Sequence, residues 1–217
     1  MNKAPSAQAY LTLLFLSLIW GTSYILIKKG LTVFTPYQVA GLRLGISALA
    51  FLPLLGYHLR KVKKSQILLL VAVGLCGTGL PSFLYPAAQV HVSSSVAGIL
   101  SSLTPLFTFL LAWLAFGLQV QWKQGVGILI GLAGALLLTL SGTGQGGQSQ
   151  LSYAGLILLA TICYAASSNL VKAYLQEVPA LTITVVAFFL VGFPALIWVL
   201  WDGGVVTVIS QHPEGWK

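Results

Sequence analysis

A row of hydroxyl side chains near the middle of the sequence could hydrogen-bond a small molecule. The row consists of Ser94, Ser101, Thr104 and Thr108. They follow one another at steps of seven, three and four residues, which places them on one face of a helix. Small hydroxyl residues also allow helices to pack closely, and this interpretation is favoured for any single position. Because no Asp, Glu or His accompanies the row, a nucleophile would lack a base, and the chain is predicted not to be an enzyme.

Aromatic and amide side chains form a second group of candidate binding residues. The group consists of Trp20, Tyr24, Tyr85 and Asn169. Such side chains suit a neutral or aromatic metabolite, since small-molecule sites are mostly apolar with a few placed polar groups. Buried packing is the favoured interpretation of Trp20. Tyr85 fits equally well as a residue of the aromatic belt at a membrane surface.

The composition indicates that these residues lie in a lipid bilayer. Of the 217 residues, 57% are hydrophobic and 6% are charged, and no Asp or Glu occurs between Met1 and Gln176. A charged side chain is costly at the centre of a bilayer, so this composition predicts an integral membrane protein. The net charge of +8 comes largely from basic residues beside apolar segments. Nucleic acid is therefore not an expected partner.

The two cysteines predict neither a metal site nor a disulfide framework. Cys76 and Cys163 both lie in apolar runs, with no cluster of Cys, His or carboxylate residues nearby in the sequence. Both are interpreted as small packing residues. No cofactor is expected.

Seven apolar segments are long enough to cross a bilayer, at about 20 residues per crossing. They are predicted as helices over Tyr10–Ile27, Val39–Tyr57, Ile67–Pro86, Val92–Phe116, Trp122–Leu140, Leu151–Leu170 and Leu181–Trp201. Short connections require consecutive helices to cross in opposite directions. Glycines and prolines in the second half of the third helix predict a kink there. The predicted fold class is an all-α integral membrane protein, a polytopic helix bundle.

Basic residues predict the orientation of the chain. Those on one side are Lys3, Arg60, Lys61, Lys63, Lys64, Lys123 and Lys172. On the other side are Lys28, Lys29 and Lys217, the first two of which are expected to snorkel to the interface. Since basic residues concentrate on the cytoplasmic side, the N-terminus is predicted to be cytoplasmic and the segment 202–217 external.

Arg43 is predicted to lie inside an apolar helix rather than beside one. Ionisable residues in membrane spans often mark substrate pathways, so Arg43 could attract anionic groups of a substrate. Because the helix is predicted to begin near Val39, snorkelling outward by one turn would instead make Arg43 an interfacial anchor. The anchor is the favoured interpretation.

The sequence repeats itself at an offset of 144 residues. Residues 17–28 and 161–172 share an aromatic residue, small residues, a serine and a lysine at matching positions, with Pro36 and Pro179 beginning the next helices. A repeat of five helices is odd in number, so the second copy must cross the membrane inverted, as in many secondary transporters. Chance similarity between apolar helices is the alternative. The predicted domains are a first repeat over 10–140, an external Gly/Gln-rich linker over 141–150 and an incomplete second repeat over 151–217.

Several short motifs resemble the drug/metabolite transporter superfamily, and within it the EamA-type transporters. They are Leu18–Ser23, Pro36 with Leu42-Arg43, Leu100–Phe107 and Gly127–Gly134. The resemblance implies ten helices in two inverted five-helix repeats, in the inner cell membrane. It also implies a secondary transporter that exports a small molecule such as an amino acid, nucleobase, sugar derivative or drug. The chain departs from the family at Gly117-Leu118-Gln119, where Gly-Glu-Arg is common.

The expected ten helices exceed the seven predicted, so the chain is interpreted as a fragment that does not transport alone. The alternative function is a non-transporting membrane assembly or interaction subunit, or an inactive truncated fragment, because a truncated bundle exposes unpaired helix faces. A homodimer would also cover such faces. The lipid bilayer and a small-molecule substrate are the expected partners.

Overall fold

The structure is a computed structural model that describes residues 7–117, 125–127, 129–131, 133–134 and 148–211. In these ranges every regular element is helical. In chain order the α-helices are α1 (Ala7–Gly30), α2 (Pro36–Leu59), α3 (Ile67–Gly74), α4 (Leu80–Gln89), α5 (Ser94–Ser101), α6 (Thr104–Leu114), α7 (Gln148–Tyr174), α8 (Ala180–Trp201) and α9 (Gly204–Gln211). A 3₁₀-helix, Lys64–Gln66, precedes α3.

Six helical segments of the described residues are long and apolar enough to cross a membrane. They are Ala7–Gly30, Pro36–Leu59, Lys64–Gln89, Ser94–Leu114, Ser152–Tyr174 and Ala180–Trp201. These segments match six of the seven predicted helices. Most of the fifth, Trp122–Leu140, lies outside the described residues, although those described there are helical.

The ends of two predicted segments differ in the structure. The predicted linker falls at 141–147 outside the described residues, whereas residues 148–150 already belong to α7. The predicted external tail contains the short helix α9. In this region the structure therefore has more helix than the hydropathy pattern predicted.

The third span, where a kink is predicted, contains a π-helix. Between α3 and α4 the chain forms a π-helix over Leu75–Gly79, and Pro81 follows in the first turn of α4. Proline has no backbone N–H to donate, and the glycines lower the cost of local distortion. The Thr78 hydroxyl donates to the Gly74 carbonyl at 2.8 Å. Such π-bulges are rare and are often found at functional sites.

The fourth span consists of two helices, whereas the sequence predicted one continuous helix. It breaks at a turn between Ser101, the last residue of α5, and Thr104, the first residue of α6. Pro105 lies in the first turn of α6. Backbone N–H groups in the first turn have no acceptor within the helix, so a proline there costs no hydrogen bond. The proline therefore accounts for the new helix start.

Helices α2 and α8 pack along their length with small residues between them. Tyr37 at the start of α2 donates to Asp202 just beyond the end of α8, at 2.6 Å. At the other end, the His58 ring nitrogen lies 2.8 Å from the Thr182 hydroxyl. The two helices therefore run antiparallel. Helices α2 and α8 begin at Pro36 and just after Pro179, the matching prolines of the predicted repeats. Inverted repeats would place two such helices antiparallel.

Candidate functional site

Three tyrosine rings from three helices meet inside the bundle. The Tyr24 ring of α1 lies 5.5 Å from the Tyr85 ring of α4, and Tyr85 lies 6.2 Å from Tyr164 of α7, between centroids. Both pairs are tilted, within the range that favours contact between aromatic rings. Tyr85 is buried, and the other two rings are half-buried. We call Tyr24, Tyr85 and Tyr164 the tyrosine cluster.

The central ring of the cluster is fixed by a hydrogen bond to α5. The Tyr85 hydroxyl lies 2.6 Å from the Ser101 hydroxyl, which itself donates to the Ala97 carbonyl at 2.7 Å. Because the serine has only one hydrogen to donate, the tyrosine is the donor of this pair. Tyr85 therefore presents its ring, rather than a free hydroxyl, to its neighbours.

Arg43 lies beside the cluster. Its Nη2 atom donates to the Ser23 hydroxyl of α1 at 3.3 Å, and Ser23 directly precedes Tyr24 of the cluster in the chain. The contact with Ser23 joins α2 to α1 within the spans. Both interpretations of Arg43, as a pathway residue and as an interfacial anchor, remain predictions. The sequence alone favoured the anchor.

The hydroxyl row predicted in the fourth span bonds largely to backbone carbonyls. Ser94 donates to the Tyr24 carbonyl at 3.1 Å, so it ties α5 to α1. Thr104 donates to the Ser101 carbonyl at 2.7 Å, and Thr108 donates to the Thr104 carbonyl at 2.8 Å. The Ser94 bond joins two helices, whereas the Thr104 and Thr108 bonds stay within the fourth span. Ser101 contributes to the site by holding Tyr85.

The remaining two predicted site residues, Trp20 and Asn169, belong to different helices. Asn169 is buried, and its amide nitrogen donates to the carbonyls of Thr108 at 3.0 Å and Ala165 at 2.9 Å. It therefore joins α7 to α6. Trp20 is 68% exposed, and among the described residues it makes no ring contact with the tyrosine cluster.

Tyr164 was not singled out by the sequence analysis, although a signal for it exists. In the second repeated segment it occupies the position that Trp20 has in the first. Helix α7 is packed against α4 and α6, whereas most side chains of α1 are exposed. The same repeat position therefore faces protein in one copy and is exposed in the other, a difference that the repeat pattern does not reveal.

Lys28, which is expected to snorkel to the interface, makes its hydrogen bonds at the end of another helix. Its ammonium donates to the Gln89 carbonyl and lies 3.5 Å from the carbonyls of Val90 and Val92. Carbonyls at the end of a helix lack intrahelical partners, and a cation there also interacts favourably with the helix dipole. Lys28 therefore caps the end of α4, one turn beyond Tyr85.

The fold and this site define a polytopic membrane protein whose spans enclose a cluster of aromatic and polar side chains. The family model described as "EamA-like transporter family" matches residues 7–140. The chain belongs to this family, whose members are transporters and not enzymes.

Several curated proteins are similar to the chain. An uncharacterized inner membrane transporter, YedA, of Escherichia coli is 33% identical over 70% of this chain and 49% of its own length. A probable amino-acid metabolite efflux pump of Salmonella typhimurium is 28% identical over 76% of this chain and 54% of its own. A probable terminal-alkyne amino-acid exporter of Streptantibioticus cattleyicolor is 28% identical over 63% of this chain and 46% of its own length. The chain spans about half the length of these relatives, and no solved structure matches it significantly.

Proposed function

We propose that this chain forms the substrate-binding bundle of a secondary transporter that exports a small metabolite by alternating access between inverted repeats. The observation that carries the proposal is the position of the tyrosine cluster with Arg43. Its residues come from α1, α2 and α4 of the first predicted repeat and from α7 of the second. In inverted-repeat carriers the substrate site lies between the two copies, near the midplane.

The relatives support export and suggest the kind of substrate. Two of them are named as an amino-acid exporter and an amino-acid metabolite efflux pump. We therefore place amino acids first among the expected substrates, ahead of nucleobases, sugar derivatives and drugs. The proposed pathway contains the tyrosine cluster, Arg43 and the Ser101 hydroxyl that holds Tyr85.

The proposed location is the inner membrane, with a cytoplasmic N-terminus. Single cysteines at exposed Ser65, between α2 and α3, and exposed Ser210, in α9, test the orientation. Cys76 and Cys163 are first replaced by alanine. In intact cells a membrane-impermeant maleimide is expected to label Ser210→Cys and to leave Ser65→Cys unlabelled. The reverse pattern would show that the orientation is inverted.

A ligand screen tests the proposed function at the level of binding. The 217-residue chain is purified in lipid nanodiscs and its thermal unfolding is followed with amino acids, nucleobases, sugar derivatives and cationic drugs. One of these classes is expected to raise the melting temperature in a saturable manner. Tyr164→Ala should reduce this shift, since it removes one ring of the cluster, whereas Tyr174→Ala at the exposed end of α7 should not. The absence of any ligand-induced shift would overturn the proposed site.

A second candidate function is a non-transporting assembly or interaction subunit, or an inactive fragment. It is favoured by α1, most of whose apolar side chains are exposed. Counterflow of the bound compound in proteoliposomes separates the two candidates. Saturable counterflow by the purified chain would support the transporter, exclude the subunit and contradict the expectation that the chain does not transport alone, whereas binding without counterflow would support the second candidate.

A further inference from the structure

Arg43 carries a positive charge that the described part of the protein leaves without a counter-ion. The sequence has three acidic residues, and the first 176 positions contain none of them. Asp202 accepts a hydrogen bond from Tyr37, at the far end of the antiparallel pair from His58. No carboxylate pairs with Arg43 within the described ranges, and its one hydrogen bond there is to Ser23 at 3.3 Å. An unpaired guanidinium in a membrane span is costly, so a partner from outside the chain would be strongly favoured.

The guanidinium has unused donors on an accessible side chain. It carries five N–H groups in a planar fork, and the bond to Ser23 uses one of them. Arg43 is exposed, whereas its neighbours Leu44 and Gly45 are buried on the face of α2 that packs against α8. The fork of an arginine matches the two oxygens of a carboxylate. The free donors are therefore available to a ligand.

The side chains near Arg43 indicate which other chemical groups a ligand at this position would carry. Tyr24 follows Ser23, the hydrogen-bond partner of Arg43, in the chain. Tyr85 and Tyr164 extend from Tyr24 an aromatic surface whose central hydroxyl is already bonded to Ser101. Aromatic surfaces of this kind favour apolar or aromatic groups. A cationic ligand would be repelled by Arg43, since like charges at short range are unfavourable in a medium of low dielectric constant.

We infer that Arg43 recognises the carboxylate of the substrate, and that the tyrosine cluster holds the substrate's apolar side chain. The inference rests on the proposed function and narrows its substrate class to monocarboxylates with an apolar or aromatic group, such as apolar amino acids. Arg43 is the specificity-determining residue, because it distinguishes an acid from its amide.

Matched pairs of acid and amide test this inference on the 217-residue chain in nanodiscs. The probes are L-leucine with L-leucinamide and L-phenylalanine with L-phenylalaninamide, and binding is measured by calorimetry. We expect each acid to bind at least about tenfold more tightly than its amide, because a charge-assisted bidentate pair is lost in the amide. Arg43→Gln should abolish the difference between acid and amide, because it weakens acid binding and also removes the repulsion of the amide, which keeps its ammonium group and has lost the carboxylate. Arg43→Lys should restore part of the preference, since it keeps the charge without the fork.

Arg60→Gln is the matched control, since Arg60 is an exposed arginine just beyond the end of α2. It should leave both affinities unchanged. Thermal unfolding of each variant without ligand shows that it is folded. Equal affinity for acid and amide, equal loss of both in Arg43→Gln, or no binding of either acid would overturn the inference. Carboxylate preference without counterflow would overturn the proposed transport alone, and counterflow without carboxylate preference would overturn the inference alone.

Discussion

Replacing Gly192 by alanine should weaken the packing of α8 against α2. A Cβ atom at this position would lie 2.5 Å from the Leu44 carbonyl oxygen and 3.0 Å from the Ala48 Cβ atom. The nearer atom belongs to the backbone of α2, so a side-chain rotation cannot relieve the contact. Small residues at helix interfaces in membranes allow this close approach. The two helices would therefore have to move apart.

The size of the effect follows from two opposing terms. Overpacking a tight interface costs about 1–3 kcal/mol, and contact with backbone places Gly192→Ala near the upper end. Alanine is favoured over glycine inside a helix by about 1 kcal/mol, which offsets part of the cost. We expect the free energy of unfolding to fall by about 2 kcal/mol, the difference between these terms.

Unfolding by SDS in mixed micelles, followed by circular dichroism, measures this difference. Gly155→Ala is the matched control, because a Cβ atom there would meet nothing within 4 Å. Gly155→Ala gains the higher helix propensity of alanine and creates no close contact. Its free energy of unfolding should therefore be unchanged or higher by up to about 1 kcal/mol. Equal stability of the two alanine variants would refute the assignment of α2 and α8 as a close-packed pair.

Two further predictions concern the end of α4. Gln89 is fully buried, and both polar atoms of its side chain lack a partner in the described structure, so Gln89→Met should raise the free energy of unfolding by about 1–3 kcal/mol. A less stable methionine variant in the same SDS titration would show that the amide has a partner. Lys28→Met should lower stability by about 0.3–2 kcal/mol through loss of the cap on α4, whereas exposed Lys29→Met should not. Equal effects of the two lysine variants would contradict the capping role.

The membrane-spanning helices could be predicted from the sequence because hydropathy is a local property. Every residue of a span must be compatible with lipid, so composition alone marks the segment. An irregular helix in the third span was also predictable, since Pro81 and its neighbouring glycines act on their own backbone. The π-helical form of Leu75–Gly79 was not, because an extra residue in a helical turn is accommodated by packing with other helices.

The site was less accessible to sequence reasoning. Helical spacing places Ser101 and Thr104 on one face, yet it does not distinguish a hydroxyl that bonds its own backbone from one that holds another side chain. Trp20 and Tyr164 have equivalent repeat positions and different surroundings. Which copy faces the protein depends on how α1 and α7 pack, and such packing involves residues far apart in the chain.

The position of Tyr85 and the burial of Gln89 have a common cause. The two residues are four apart in α4, so they share one face of that helix, and both are buried. Each residue of an α-helix turns the chain by about 100°, so the extra residue of the π-helix sets which face of α4 is turned inward. Turning Tyr85 toward Tyr24 and Tyr164 therefore also buries the Gln89 amide, where it lacks partners among the described residues. An unfavourable buried amide is what is expected where the placement of a binding-site side chain, the role proposed for Tyr85, takes precedence over stability. Gln89→Met should therefore be more stable while retaining the ligand affinity proposed for the tyrosine cluster.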